Sequence, residues 1–236
     1  MVKEFKVLKK GNIYFFVRPK IENESEVQRF FLVLHSNERY YLLIIGKKHL
    51  PTEKEGSYFA FVEAIKKSKN DLLQSLKEKT YQTATRGERT LPSSRCLGAG
   101  KFLLVEHHNH THFIYHLVMP ATIKSIQAEF NLKKEDDYLI SVKNPQISSA
   151  GGAGQKKATY PDWLQAKLTN YHFVPLNPSD FLDYERTELL LIPKKQPSLA
   201  QREKELESCW EEISSENLVA EFAKITSPET IAPIEK

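Results

Sequence analysis

The sequence predicts an α+β fold, mainly an antiparallel sheet of about seven to eight strands with a few flanking helices and a C-terminal amphipathic helix. Three observations lead to this prediction. Apolar runs rich in aromatic and branched residues follow one another closely, short polar segments separate them, and a few other stretches place apolar residues at helical spacing. Runs that are apolar throughout, without strict alternation, indicate strands covered on both faces.

The first part of the chain predicts a three-stranded antiparallel meander. Apolar runs at 11–18, 28–35 and 39–46 carry the strand signal. Pro19 ends the first run because proline cannot donate to a strand ladder. The short polar segment 36–38 predicts a hairpin loop between the second and third strands.

Segment 51–79 predicts a helix or a pair of helices. Tyr58, Phe61, Val62 and Ile65 fall at helical spacing, and three leucines continue the pattern at positions 72, 73 and 76.

Segment 80–100 shows no periodicity, which predicts a long irregular loop. Loops of this length in compact domains are often functional. Three arginines of this loop are candidates for binding a phosphate or carboxylate, or they pair with neighbouring acids on the surface: Arg86, Arg89 and Arg95.

The stretch Lys101–Pro120 predicts a β-hairpin with histidines at its tip. A two-residue loop at 108–109 places His107 opposite His110 and His112 opposite Val105, so that the three imidazoles share one face. A four-residue loop instead places His107 opposite His112 and leaves His110 in the loop. A three-residue loop separates the histidines. In the two-residue register Glu106 lies on the other face. Three imidazoles on one face are candidate ligands for zinc or a similar divalent metal.

The second half of the chain alternates shorter elements. We expect helices at 122–132 and 160–168, strands at 138–142, 172–176 and 188–192, and a flexible linker at 148–157. Asp180, Asp183 and Glu185 are candidate acids or metal ligands, although capping of a short helical turn explains them more simply. Leu199, Leu206 and Ile213 recur every seven residues in a predicted helix at 198–223.

Composition excludes several classes of protein. The chain is 40% hydrophobic and 27% charged, as is typical of a globular protein, and its net charge of +4 is too small to indicate nucleic-acid binding. No stretch approaches the ~20 apolar residues of a membrane span, and the N-terminus lacks a signal-peptide pattern. Two distant cysteines, Cys96 and Cys209, fit no metal spacing and favour a reducing compartment. We therefore expect a cytoplasmic protein.

Four stretches, KGNIYFFVRP, RGERTLPSSR, NHTHFIYHL and YLISVKNP, resemble a family of uncharacterised bacterial proteins over roughly residues 10–192. The resemblance implies that this region is one unit and that the C-terminal helix is an addition; it implies no catalytic residue. We predict a single α+β domain at 1–195, as one body or as two lobes joined by the 80–100 loop. A C-terminal helix at 196–225 and a disordered tail at 226–236 complete the predicted organisation.

The sequence favours a binding or scaffold module for a protein partner or an anionic ligand. The alternative is a metal-dependent hydrolase in which His107, His110 and His112 hold the ion and a bound water attacks an ester or phosphodiester. A third interpretation assigns the histidines no special role. Nucleic acid is a weaker candidate partner, and the oligomeric state is left open.

Overall fold

The computed structural model of the chain describes residues 5–21, 26–85, 87–147, 157–194 and 203–213. Within these ranges the chain forms eleven strands and four α-helices. The strands are β1 (Phe5–Pro19), β2 (Val27–Ser36), β3 (Arg39–Ile45), β4 (Tyr58–Lys66), β5 (Lys79–Thr83), β6 (Gly87–Leu91), β7 (Arg95–His107), β8 (His110–Met119), β9 (Glu135–Lys143), β10 (Phe173–Pro175) and β11 (Glu188–Pro193). The helices are α1 (Lys69–Leu76), α2 (Ser125–Glu129), α3 (Asp162–Leu168) and α4 (Glu203–Glu211).

Eight strands form a closed antiparallel barrel. Neighbours follow the order β9-β11-β4-β3-β2-β1-β7-β8, and β8 pairs back onto β9. The closing pairs run from His112 opposite Leu139 to His116 opposite Glu135. β10 pairs with the remaining part of β9, and β5 and β6 form a separate two-stranded hairpin. The predicted meander is confirmed, since β1, β2 and β3 pair in succession.

The predicted fold class, an α+β fold with helices flanking the sheet, is wrong. Of the described residues, strands hold 50% and helices 17%, and the sheet closes on itself. The prediction failed because strands that are apolar on both faces suggest a sheet covered by helices. Here the inward face fills the barrel, and α1 and α4 cover parts of the outward face.

Residues 58–66 form strand β4 and not the predicted helix. Tyr58, Ala60 and Val62 join the core, and they alternate with the more exposed Phe59 and Phe61. Ala60 contributes little apolar signal and the outward positions are aromatic. The large apolar residues therefore fall at helical spacing and conceal the strand period of two. The helix begins later as α1, where the side chain of Ser68 accepts a hydrogen bond from the backbone N–H of Asp71.

The predicted irregular loop at 80–100 is also wrong. β5 and β6 pair from Lys79 opposite Leu91 to Thr83 opposite Gly87, and β7 begins at Arg95. Most residues of this hairpin are exposed on both faces. A strand without a buried face has no apolar alternation, and alternation is the signal by which a strand is detected in a sequence.

The inside of the barrel is a packed apolar core. The ring of Phe15 meets Tyr115 edge-on at 5.1 Å, and Phe30 stacks on Phe130 at 5.7 Å. Segments 46–57 and 120–134 connect strands at one end, and segment 157–187 connects strands at the other; each contributes buried residues to the core. Because apolar side chains fill the inside, side chains that bind a ligand are expected on the outside of the barrel or at breaks in its wall.

Two helices pack on the outside of the barrel. Leu72 and Leu76 of α1 join one outer apolar cluster. Leu206 of α4 and Ile213, just after it, join a second cluster on β1, β7 and β8. Helices α2 and α3 lie within predicted helical segments. The predicted tail at 226–236 and most of the predicted linker at 148–157 lie outside the described residues. Among the described helices, none is long and apolar enough to span a membrane.

Candidate functional site

The histidine hairpin has the two-residue register. His107 lies opposite His110, Val105 opposite His112, and His108 and Asn109 form the turn. Both turn residues have positive φ, 45° and 62°, as a type I′ turn requires. Glu106 pairs with Thr111 and lies on the other face, as that register predicts.

The three candidate metal ligands do not converge. The rings of His107 and His112 lie 5.9 Å apart, whereas His110 is exposed at the tip. His112 is buried, and its Nδ1 lies 3.0 Å from the carboxylate of Asp137. Lys194 approaches the same carboxylate at 3.7 Å. In the described ranges no three His, Cys, Asp or Glu side chains are grouped so that they could hold a metal, and the metal-site hypothesis gains no support.

The candidate acids near residue 180 are in part structural. Asp183 accepts a hydrogen bond from the Tyr41 hydroxyl at 2.8 Å and pairs with Arg39 at 3.0 Å. Lys9 donates to the same tyrosine hydroxyl. This network connects the turn at 179–183 to β1 and β3. Asp183 therefore has a structural role at this end of the barrel.

The candidate anion-binding arginines are distributed over different strands. Arg89 lies opposite Tyr81 in the β5–β6 hairpin, and Arg95 lies opposite Val17 at the start of β7. Arg86 lies outside the described residues. Neither Arg89 nor Arg95 is among the side chains that line the groove described next, so their predicted role remains a prediction.

A groove with an excess of positive charge lies beside α1, and we call it the basic groove. Its volume is about 780 Å³, and it is bounded by β4, α1 and the start of β5. Among the described residues that line it, Asp71 is the single acid, whereas five are cationic: Arg18, Lys66, Lys67, Lys77 and Lys79. The sequence places Lys66 and Lys67 side by side but does not reveal the groove, because Arg18 and Lys79 come from other segments of the chain.

Arg18 forms the buried part of the groove. It is 9% exposed, donates through Nε to Ser94 Oγ at 3.2 Å and through Nη2 to the Ser75 carbonyl at 2.8 Å. Its guanidinium lies over the Phe31 ring. Burial lowers the pKa of Arg18, and the charge of Arg29 lowers it further. No carboxylate of the described residues pairs with Arg18, so its charge is partnered by dipoles and a ring alone.

The four lysines of the groove also lack an acidic partner among the residues that the structure describes. Lys66, Lys67, Lys77 and Lys79 form no ion pair with any acid in the described part of the chain. Asp71 binds the hydroxyl of Ser68 at the start of α1, which gives it a capping role. Ammonium groups supply up to three donors each, so the groove can hold several anionic oxygens.

Comparisons with known proteins assign the chain to no family. No family model, no curated protein and no solved structure matches it. The resemblance to an uncharacterised bacterial family therefore stays a prediction, and the function must be inferred from the geometry of the molecule.

Proposed function

We propose that the protein is a binding module for a multiply charged anion, such as a phosphorylated small molecule, which it holds in the basic groove. The observation that carries the proposal is the charge balance of the groove, where the described lining residues include five cationic side chains and one acid that already caps a helix. Like charges brought together without counter-charges repel one another. An anion in the groove removes that repulsion and gains charge-assisted hydrogen bonds.

The groove supports this function with one fixed and several adaptable groups. Arg18 is immobilised by Ser75, Ser94 and Phe31, so it supplies positive potential at the base of the groove. Lys67, Lys77 and Lys79 are exposed, and their flexible ammonium groups can adjust to the anion. Because these ammonium groups face solvent, the affinity should fall as the salt concentration rises.

We place this module in the cytoplasm. Cys96 and Cys209 are free thiols in the structure, and unpaired cysteines are typical of proteins kept in a reducing compartment. Cellular fractionation with an antibody to the protein tests this location; recovery of the protein outside the cytoplasm would contradict it.

The groove is tested by removing two of its charges. Tripolyphosphate is titrated into the protein at low salt, with isothermal calorimetry as the measurement. We expect Lys67→Gln with Lys79→Gln to weaken binding at least about tenfold, or about 1.4 kcal/mol, because two charge-assisted contacts are lost. Both side chains are exposed, so the free energy of unfolding should change by less than about 0.5 kcal/mol.

The matched control removes the same net charge elsewhere. Lys48 and Lys54 are exposed in the connection between β3 and β4 and do not line the groove. We expect Lys48→Gln with Lys54→Gln to leave the affinity within about twofold of the unmodified protein. The proposal is wrong if tripolyphosphate does not bind at millimolar concentration, or if the control variant loses as much affinity as the groove variant.

A further inference from the structure

The wall of the barrel opens where β9 changes its partner. β8 pairs with β9 as far as His112 opposite Leu139, and β10 occupies the same edge of β9 from Ser141 onward. The end of β8 nearest the histidine turn therefore diverges from β9. A cleft of about 590 Å³ lies between the hairpin tip and β10, within the usual range for ligand sites. We call it the wall cleft.

A buried hydroxyl without a partner lines the wall cleft. Thr111 is 1% exposed, and its Oγ1 has no hydrogen-bond partner among the residues that the structure describes. Burying an unsatisfied hydroxyl costs stability, and native proteins seldom retain one without a reason. A group that enters the cleft from outside the chain would satisfy it.

Both walls of the cleft are strand edges. His107 and His110 flank the two-residue turn and exchange hydrogen bonds, so alternation directs the N–H and C=O of Thr111 away from β7 and toward the cleft. On the other wall, the carbonyl of His172 accepts a hydrogen bond from the backbone N–H of Asn144, just after β9, so the polar backbone groups of His172 point toward β9. The next residue, Phe173, therefore directs its own N–H and C=O away from β9. In the described ranges β10 pairs with β9 and with no second strand.

The side chains around the cleft add charge and aromatic surface. Glu106 lies on the hairpin wall and Lys167 on the α3 side. Tyr171 is 69% exposed and, with Phe173, provides an aromatic surface at the rim. The cleft thus offers backbone donors and acceptors, one charge of each sign and an apolar platform.

We propose that the wall cleft binds a short extended peptide by strand addition. The peptide backbone pairs with the open edge of β10 at Phe173, and one peptide group bonds the Thr111 hydroxyl. A basic side chain of the peptide faces Glu106, an acidic one faces Lys167, and an apolar one packs on Tyr171. This site is separate from the basic groove and does not depend on it.

A linear heptapeptide library displayed on phage tests the proposal. The unmodified protein serves as bait, and the affinity of an enriched synthetic peptide is measured by fluorescence anisotropy. Ser141 lines the cleft, so Ser141→Phe fills part of it and Ser141→Ala leaves it open. We expect the first variant to weaken binding at least about tenfold and the second to change it less than about twofold. Failure to enrich a peptide, or equal binding by Ser141→Phe, overturns the proposal.

A second variant separates ligand binding from a structural role. Thr111→Val keeps the shape of the side chain and removes its hydroxyl. We expect peptide affinity to fall about fivefold or more, the urea midpoint of unfolding to stay or rise, and tripolyphosphate binding to stay unchanged. Amide exchange at Phe173 should slow when peptide is added. A lower midpoint with unchanged peptide affinity, or no amide protection at Phe173, contradicts the proposal.

Discussion

The partly buried Cys96 is a poor nucleophile. Its thiol donates to the Gly98 carbonyl at 3.5 Å, and burial raises the pKa of the thiol to about 12. Because the thiolate is the form that reacts, we expect iodoacetamide at pH 8 to modify Cys96 at least about tenfold more slowly in the folded protein than in guanidinium chloride. Mass spectrometry of the peptide that contains Cys96 measures both rates. Equal rates would contradict the burial of this thiol.

The partners of a polar side chain decide its role, and those partners lie far away in sequence. Asp183 is bound by Tyr41, 142 positions away, and His112 by Asp137 from another strand. The sequence marks both residues as candidate ligands because it shows their type and not their partners. Arg18 is the opposite case. The sequence indicates no role for it, and the fold brings it into contact with Ser94 and the end of α1.

Two hairpin turns of the barrel have the same geometry and different sequences. Asn37 and Glu38 have φ of 49° and 60°, and His108 and Asn109 have 45° and 62°. Asparagine tolerates this left-handed region, and glutamate does so less well. We expect Glu38→Gly to raise the free energy of unfolding by about 0.5–1 kcal/mol and Asn109→Gly to change it by less than about 0.5 kcal/mol. Urea unfolding measures both, and a destabilised Glu38→Gly variant would contradict the prediction.

Elements with a strong local signal could be predicted, and those shaped by tertiary context could not. The hairpin at Lys101–Pro120 has two apolar runs and a polar break, so its existence followed from the sequence, although three registers remained open. β4 was missed because its inward Ala60 weakens the alternation. The β5–β6 hairpin was missed because most of its residues are exposed, whereas β10 lies within the strand predicted at 172–176.

Closure of the barrel is a property of the whole chain. It depends on pairing between strands far apart in sequence, such as Phe5 opposite His107 and Ile13 opposite Gly100. Apolar periodicity reports which residues are buried, and it contains no information about which strand edges meet. The wall cleft is a consequence of closure as well, because it exists only where β8 and β10 share one edge of β9.

The buried tyrosines make the stability of the whole molecule sensitive to alkaline pH. Burial raises the pKa of each of four tyrosines above the ordinary value near 10, namely Tyr41, Tyr115, Tyr138 and Tyr160. For Tyr160 the pKa rises to about 12. In the unfolded chain these hydroxyls ionise near pH 10, so their contribution is complete below pH 10 and is lost as the pH rises toward 12.

We therefore expect the free energy of unfolding to fall between pH 9 and pH 11, by about 1 kcal/mol for each of these tyrosines at pH 11. Urea unfolding at a series of pH values measures the fall. Tyr160→Phe should reduce the slope, because one of the ionising hydroxyls is removed, although loss of its bond to Thr187 lowers stability at neutral pH. Stability that does not change between pH 9 and pH 11 would show that the tyrosine hydroxyls are not held in the core as the closed barrel requires.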